Sequence, residues 1–238
     1  MNAQTVMDKS WAYFVSQSRG QPEPALTGHR RWLNPTITIS HQAGAGAPEI
    51  AGGLARALQN RDDPEGQPWA VYNHQIIENA LEGKPWPKRS VDKITEEKRY
   101  FIDELIDDML DLQPPSWVLV PKLIDTTLRL AKVGHAILVG HGATVVTAQL
   151  ANVFHVRLTG SLAGRIARVQ KLQKLTPEAA LKLVRAEDQR RKRFLRAYFH
   201  ARLDNELLYD LAINTDRVSS EDAVELIAEG ARRFFSRL

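Results

Sequence analysis

The chain has 238 residues, 43% hydrophobic and 25% charged, proportions that suit one α/β domain with an insertion, or two small domains, around a buried core. It has no cysteine, which excludes disulfides, thiolate zinc sites and thiol catalysis; its apolar runs are too short to span a bilayer, and its first residues lack a secretory pattern, so a cytoplasmic protein is expected. The net charge of +4 is uneven: between Arg165 and Arg202 twelve Lys/Arg stand against three acids, a local +9 that leaves −5 elsewhere and makes polyanions the natural partners of this segment.

Residues 1–35 read as a helical extension, Val6 to Ser16, and a polar connector, Gly20 to Thr27. Thr36–Ser40 is the first strand; it stops at Gly44-Ala45-Gly46, and helical spacing resumes at Ile50, Leu54 and Leu58 within a helix predicted over Ala51–Gln59. A loop over Asn60–Gln67 precedes a short strand at Trp69–Tyr72 and a helix at His74–Leu81. Ile102, Leu105, Ile106 and Met109 keep helical spacing up to Pro114-Pro115, and Val120–Lys132 repeats it. Ala136–Val139 and Asn152–Leu158 read as buried strands. The basic stretch Ser161–Ala201 is helical and broken at Thr176-Pro177, a helix-start signature. Leu211–Thr215 is a last strand, and Ser219 or Ser220 caps a final helix, Glu221–Phe235. Strands alternating with helices imply a parallel sheet covered on both faces, with ligands beyond the strand C-termini.

Strand, glycine turn and helix in that order aim backbone N–H groups and a helix dipole at phosphate. A plain strand-to-helix turn is the competing reading, because Ala47 and Pro48 stand where the lysine and hydroxyl of a P-loop are expected. His41 and His141 lie at two strand ends, either as pocket groups titrating near neutrality or as turn histidines bonded to backbone or solvent. Were they pocket groups, phosphate affinity would change between about pH 5.5 and 8. Metal ligands stay unknown; Asp125, Glu78 and Glu49 are candidates by elimination only. Arg165 and Arg168 share a helix face, and Arg190, Arg191, Arg193 and Arg196 follow Asp188 on the next helix. Guanidinium forks bind phosphate oxygens bidentately, although a solvated basic helix is the plainer account. Nucleic-acid binding through these arginines and Phe194, Tyr198 and Phe199 ranks below nucleotide phosphates, since the aromatics fall at core-packing spacing.

Six segments in order resemble the cytidylate kinase-like family, P-loop relatives of nucleoside monophosphate kinases: Ile37–Gly46, Val71–Glu78, Ile137–Ala143, Val153–Ile166, Ala186–Phe194 and Ile213–Ser219. The resemblance implies a three-layer α/β P-loop fold over 36–238, with a helical acceptor-side insertion at 73–133 and a basic helical lid at 161–202. It implies a phosphotransferase moving the γ-phosphoryl of ATP, with Mg²⁺, onto a nucleoside monophosphate or similar small acceptor, CMP among them. An impaired nucleotide-binding or regulatory protein on the same fold is the alternative. By similarity Arg165, Arg168, Asp188, Arg191 and Arg193 serve transfer, while His41, Gly44, Ala45, Gly46, Ala47, His141, Asn214 and Thr215 hold the donor. No membrane partner is implied, and a homo-oligomer stays open. The chain departs from the family where His41 and His141 replace arginines, Ala47-Pro48 follow Gly46 in place of a further glycine, and Asn73 replaces an aspartate.

Overall fold

The structure is a computed structural model that describes residues 34–62, 68–73, 116–140 and 142–238. The helices expected at Val6–Ser16, His74–Leu81 and around Ile102–Met109 lie outside these residues, as do most of the 1–35 extension and of the 73–133 insertion. Five strands, β1 (Thr36–His41), β2 (Ala70–Tyr72), β3 (Ala136–Val139), β4 (Val153–Thr159) and β5 (Leu211–Asn214), form one sheet in the order β2-β3-β1-β4-β5. Every pairing is parallel, and Ile37 of β1 lies opposite both Ile137 and Phe154. The chain leaves β1 toward one edge of the sheet and later crosses to the other. This makes the C-terminal end of β1 the switch point at which open α/β sheets place their ligands.

Among the described residues six α-helices accompany the strands: α1 (Ala47–Asp62), α2 (Ser116–Val133), α3 (Ala143–Val146), α4 (Leu162–Gln173), α5 (Pro177–Phe199) and α6 (Ser220–Phe235). Helix α1 begins four residues earlier than its apolar spacing suggests, because Pro48 fits the first turn, where its missing N–H has no intrahelical acceptor to lose. Thr176 caps α5 by accepting from the Ala179 N–H, and Ser219 caps α6 by accepting from Asp222. Among the described residues no helix is long and apolar enough to cross a membrane.

Period-two alternation divides the sheet into unlike faces. Ile37, Ile39, Val156 and Leu158 pack with Ile50, Leu54 and Ile227 of α1 and α6 into the main core. The opposite face carries Thr36, Thr38, Ser40, His155 and Arg157, all buried. Parallel strands are usually apolar on both faces, so each of these groups needs a partner. Thr38 Oγ1 lies 3.1 Å from Thr144 Oγ1 and 2.8 Å from His155 Nδ1, and Thr36 Oγ1 donates to the Ala131 carbonyl. Arg157 Nη1 donates to Ser40 Oγ at 2.7 Å, and its guanidinium lies 5.7 Å from the Tyr209 ring centroid. Helix α5 closes over this side by seating Leu195 and Phe199 against Val120, Ile124 and Val146. Phe199 thus belongs to the core and Phe194 and Tyr198 pack against it, as their spacing suggests.

Candidate functional site

The turn between β1 and α1 is held in a shape that glycine permits. Gly44 and Gly46 have φ of +77° and +82°, backbone that residues with a β-carbon rarely adopt. Ala45 N–H donates to the Gln42 carbonyl at 3.0 Å, closing the turn. Among the described residues no acceptor meets the N–H of Gly46 or of Ala47, the first residue of α1. Two unsatisfied donors at a helix N-terminus, backed by the helix dipole, are what a phosphate oxygen requires. Pro48 contributes no N–H, so this cradle has one donor fewer than a P-loop with Ser or Thr there.

Two arginines of α4 grip this loop. Arg165 is buried and donates from Nη1 to the Ala43 carbonyl (3.0 Å) and to Asp188 Oδ2 (2.7 Å), and from Nε to the Gly160 carbonyl (3.1 Å). Asp188 Oδ1 accepts from the Ala43 N–H at 2.9 Å, so one carboxylate ties α5 to both α4 and the loop. Arg168 Nη1 donates to the Gly44 carbonyl at 2.7 Å and Nη2 to the Thr215 carbonyl at 3.0 Å. Arg165, Arg168 and Asp188 therefore position the glycine loop in this structure. A β-carbon on Gly44 would stand 2.7 Å from the Arg165 carbonyl oxygen, which shows how closely α4 approaches.

The remaining expected residues divide between this loop, its neighbours and the surface. Thr215 is buried beside Arg168 and donates to the Thr159 carbonyl, while Asn214 is exposed and its Oδ1 accepts from the Asp216 N–H. Asp216 in turn accepts from the Ser161 N–H at 2.7 Å, fastening the end of β5 to the start of α4; hydrogen bonding from the Ser161 side chain, and then from its N–H, keeps the Asp216 carboxyl below its ordinary range. Arg193 is exposed on α5. His141 and Glu78 lie outside the described residues. Glu49 is exposed in the first turn of α1, and Asp125 accepts from Arg129 one turn along α2. Among the described residues no group of three His, Asp or Glu stands together as a metal site.

Beside the loop lies a cavity of about 680 Å³, its open mouth included, which Ser40, His41, Gly140 and Thr144 line together with α5. Arg191 lines it as well; its Nη2 is 3.4 Å from Glu187, and its Nη1 is buried with no hydrogen-bond partner. His41 is buried, and its Nδ1 is 3.2 Å from the Gln42 carbonyl. A carbonyl only accepts, so the proton sits on Nδ1 and the lone pair on Nε2. Burial pushes the His41 imidazole well below its ordinary value, and the Arg191 and Arg157 cations push it further. Of the two readings of His41, the geometry matches the turn histidine bonded to backbone, and burial moves its titration below the ordinary range.

Sequence reasoning passed over Arg157, Ser40, Tyr209 and Gln42. Arg157 is a cation in a buried strand, on the same face as His155, a signal that it faces something polar. Gln42 Oε1 accepts from the Gly160 N–H at 3.0 Å and joins the loop to the end of β4; a glutamine in a turn gives no such hint.

A parallel sheet in this strand order, with a glycine loop between β1 and α1 and arginines closing over it from the α4–α5 side, defines a P-loop kinase fold. The crystal structure of an uncharacterized protein from Eubacterium ventriosum ATCC 27560 superposes with a TM-score of 0.61 at 16% identity, covering 84% of this chain and 99% of that one. A shikimate kinase from Bacteroides thetaiotaomicron aligns over 85% of this chain and 98% of its own, with a TM-score of 0.47 and 12% identity. A gluconokinase from Sinorhizobium meliloti 1021 aligns over 87% and 94%, with a TM-score of 0.41 and 14% identity. No curated protein sequence matches this chain. The profile of the cytidylate kinase-like family matches residues 36–217, and the chain belongs to that family.

Proposed function

We propose that this protein is a nucleotide-dependent phosphotransferase that passes the γ-phosphoryl group of ATP to a small acceptor in the cavity beside β1. The N–H groups of Gly46 and Ala47 at the head of α1 carry this reading, because among the described residues no acceptor meets this donor pair at a helix N-terminus. In this reading Arg165, Arg168 and Asp188 hold the loop in register, and the end of β5 with Arg168 flanks the nucleotide. Mg²⁺, implied by the family, would be held largely by the phosphate oxygens that accompany it. Arg191 supplies the mobile charge: its buried, unengaged Nη1 can meet an oxygen of the transferred group, whose stabilisation is mostly electrostatic.

Replacing Arg191 with Ala tests this. Arg190 also lies within 3.3 Å of Glu187, so the buried carboxylate keeps a cation in the variant. Transfer is expected to fall at least ~100-fold, the scale of losing one preorganised transition-state donor, with a much smaller change in melting temperature. Unchanged turnover refutes the assignment. The alternative, a binding or regulatory protein, rests on the missing Pro48 donor and on Ala47 in place of lysine. It predicts thermal stabilisation by ATP without product from any acceptor.

A further inference from the structure

The cavity holds evidence about the acceptor itself. His41 ends β1 immediately before the glycine loop, so the phosphoryl group held by that loop arrives next to it. With Nδ1 committed to the Gln42 carbonyl, Nε2 is a lone-pair acceptor with no partner among the described residues. It lies against Gly140, 3.8 Å from where a β-carbon on that glycine would stand, and both residues line the cavity. A lone pair at this place welcomes an O–H and repels an unprotonated phosphate oxygen. An acceptor phosphate would also bring a second dianion next to the incoming one, and Arg191 has only Nη1 unengaged. Away from His41, the cavity is lined by Val145, Phe194, Leu195, Leu203 and Leu208, with the Tyr209 ring beside them, and by Thr144, Arg190 and Arg202, the two arginines being paired with Glu187 and Asp204. Among these there is no carboxylate or carboxamide to read the polar edge of a nucleobase.

Resting on the phosphotransferase reading above, we propose that the acceptor is an alcohol with a hydrocarbon body. Its O–H donates to Nε2 of His41, and its body lies against Val145, Phe194, Leu195 and Leu208. The step is balanced. The acceptor oxygen forms a bond to the γ-phosphorus, the bond from that phosphorus to the β,γ-bridging oxygen breaks with its electrons leaving on ADP, and the acceptor proton passes to Nε2. A weak base suffices, because the transition state of phosphoryl transfer is loose and the alcohol proton is lost late. Among the described residues the charged groups acting on the imidazole are Arg191 of α5 and Arg157 of β4. Glu187 and Asp188 of α5 are occupied by Arg190, Arg191 and Arg165. Nothing nearby holds His41 protonated at neutral pH.

The experiment compares wild type, His41→Asn and His41→Gln. Asn keeps a donor for the Gln42 carbonyl and removes Nε2; Gln puts an amide near Nε2 that binds a hydroxyl but takes no proton. Each protein is incubated with ATP and Mg²⁺ and either an alcohol (benzyl alcohol, cyclohexylmethanol or 3-methylbutan-1-ol) or a nucleoside monophosphate. ADP and the phosphate ester are followed by ³¹P NMR, and the melting temperature is read with ATP, with the alcohol and with both. The expected result is ester from at least one alcohol, a pH-independent rate between about pH 6.5 and 8, and a loss of ~100-fold or more in kcat for both variants. His41→Gln should keep the wild-type KM, and ATP should still stabilise both variants. Transfer to a nucleoside monophosphate and to none of the alcohols overturns the proposal while the phosphotransferase reading stands. Equal kcat on the alcohol in His41→Asn also overturns it. Absence of both nucleotide stabilisation and transfer overturns the phosphotransferase reading, and this inference with it.

Discussion

Replacing Asp188 with Ala should destabilise the fold and loosen the glycine loop together. The carboxylate is 21% exposed and accepts from Arg165 Nη1 at 2.7 Å and from the Ala43 N–H at 2.9 Å; the Arg165 side chain is only 6% exposed. Its removal strands a buried cation and a loop N–H at once. Breaking a buried pair from one side costs about 3–5 kcal/mol. Arg165 retains the Ala43 and Gly160 carbonyls, and water can reach the vacated site, so the lower end, about 3 kcal/mol, is expected. For a chain of this length that corresponds to a fall of about 6–12 °C in melting temperature, read by circular dichroism or calorimetry. The stabilisation conferred by ATP should shrink in the same variant, because the loop loses the anchor at Ala43. In a double-mutant cycle Arg165→Met should couple to Asp188→Ala by about 2 kcal/mol, since the stranded charge leaves with the arginine. A melting temperature within about 2 °C of wild type, or additive effects in the cycle, would refute the claim that this pair fastens α4 and α5 to the loop.

Gly44→Ala should cost at least as much as Asp188→Ala, because it meets positive φ and a backbone contact of 2.7 Å together; a stable variant with unchanged ATP stabilisation would show that α4 yields easily. Stability should also fall from pH 7 to pH 5. His41 and His155 both have folded values below their unfolded ones, chiefly through burial. Below about pH 6.5 the unfolded chain binds protons that the folded chain refuses, so stability present above that pH is lost as pH falls, by up to about 1.4 kcal/mol per unit for each histidine. Urea unfolding at the two pH values checks this, and His41→Asn should remove one share of the slope. Any inflection that His41 imposes on nucleotide affinity should, by contrast, lie below the ordinary histidine range, as isothermal titration would reveal.

Local chemistry makes much of the fold legible in the chain itself. The β-branched run before Gly44, the apolar spacing from Ile50, and the cap residues Thr176 and Ser219 report short-range backbone preferences, and the structure places strands and helices accordingly. The start of α1 was harder to read, since Ala47, Pro48 and Glu49 are not part of its apolar stripe. The glycine loop was legible because positive φ is a demand that sequence expresses as glycine.

What each charged group does was decided by the tertiary structure. In sequence Arg165 and Arg168 look like free cations suited to phosphate. In space they are bound to carbonyls of a loop more than a hundred residues earlier. Arg157 and Ser40 meet across 117 residues, and the cavity beside them exists only because α5 lies over the polar face of the sheet. The His41 imidazole shows the same division. Residue type alone puts its titration near neutrality, whereas burial and two neighbouring guanidinium groups move it well below its ordinary value. Propensity and glycine placement are local properties carried by neighbours in the chain. Desolvation and pairing depend on which distant groups share a volume, and only the folded arrangement sets that.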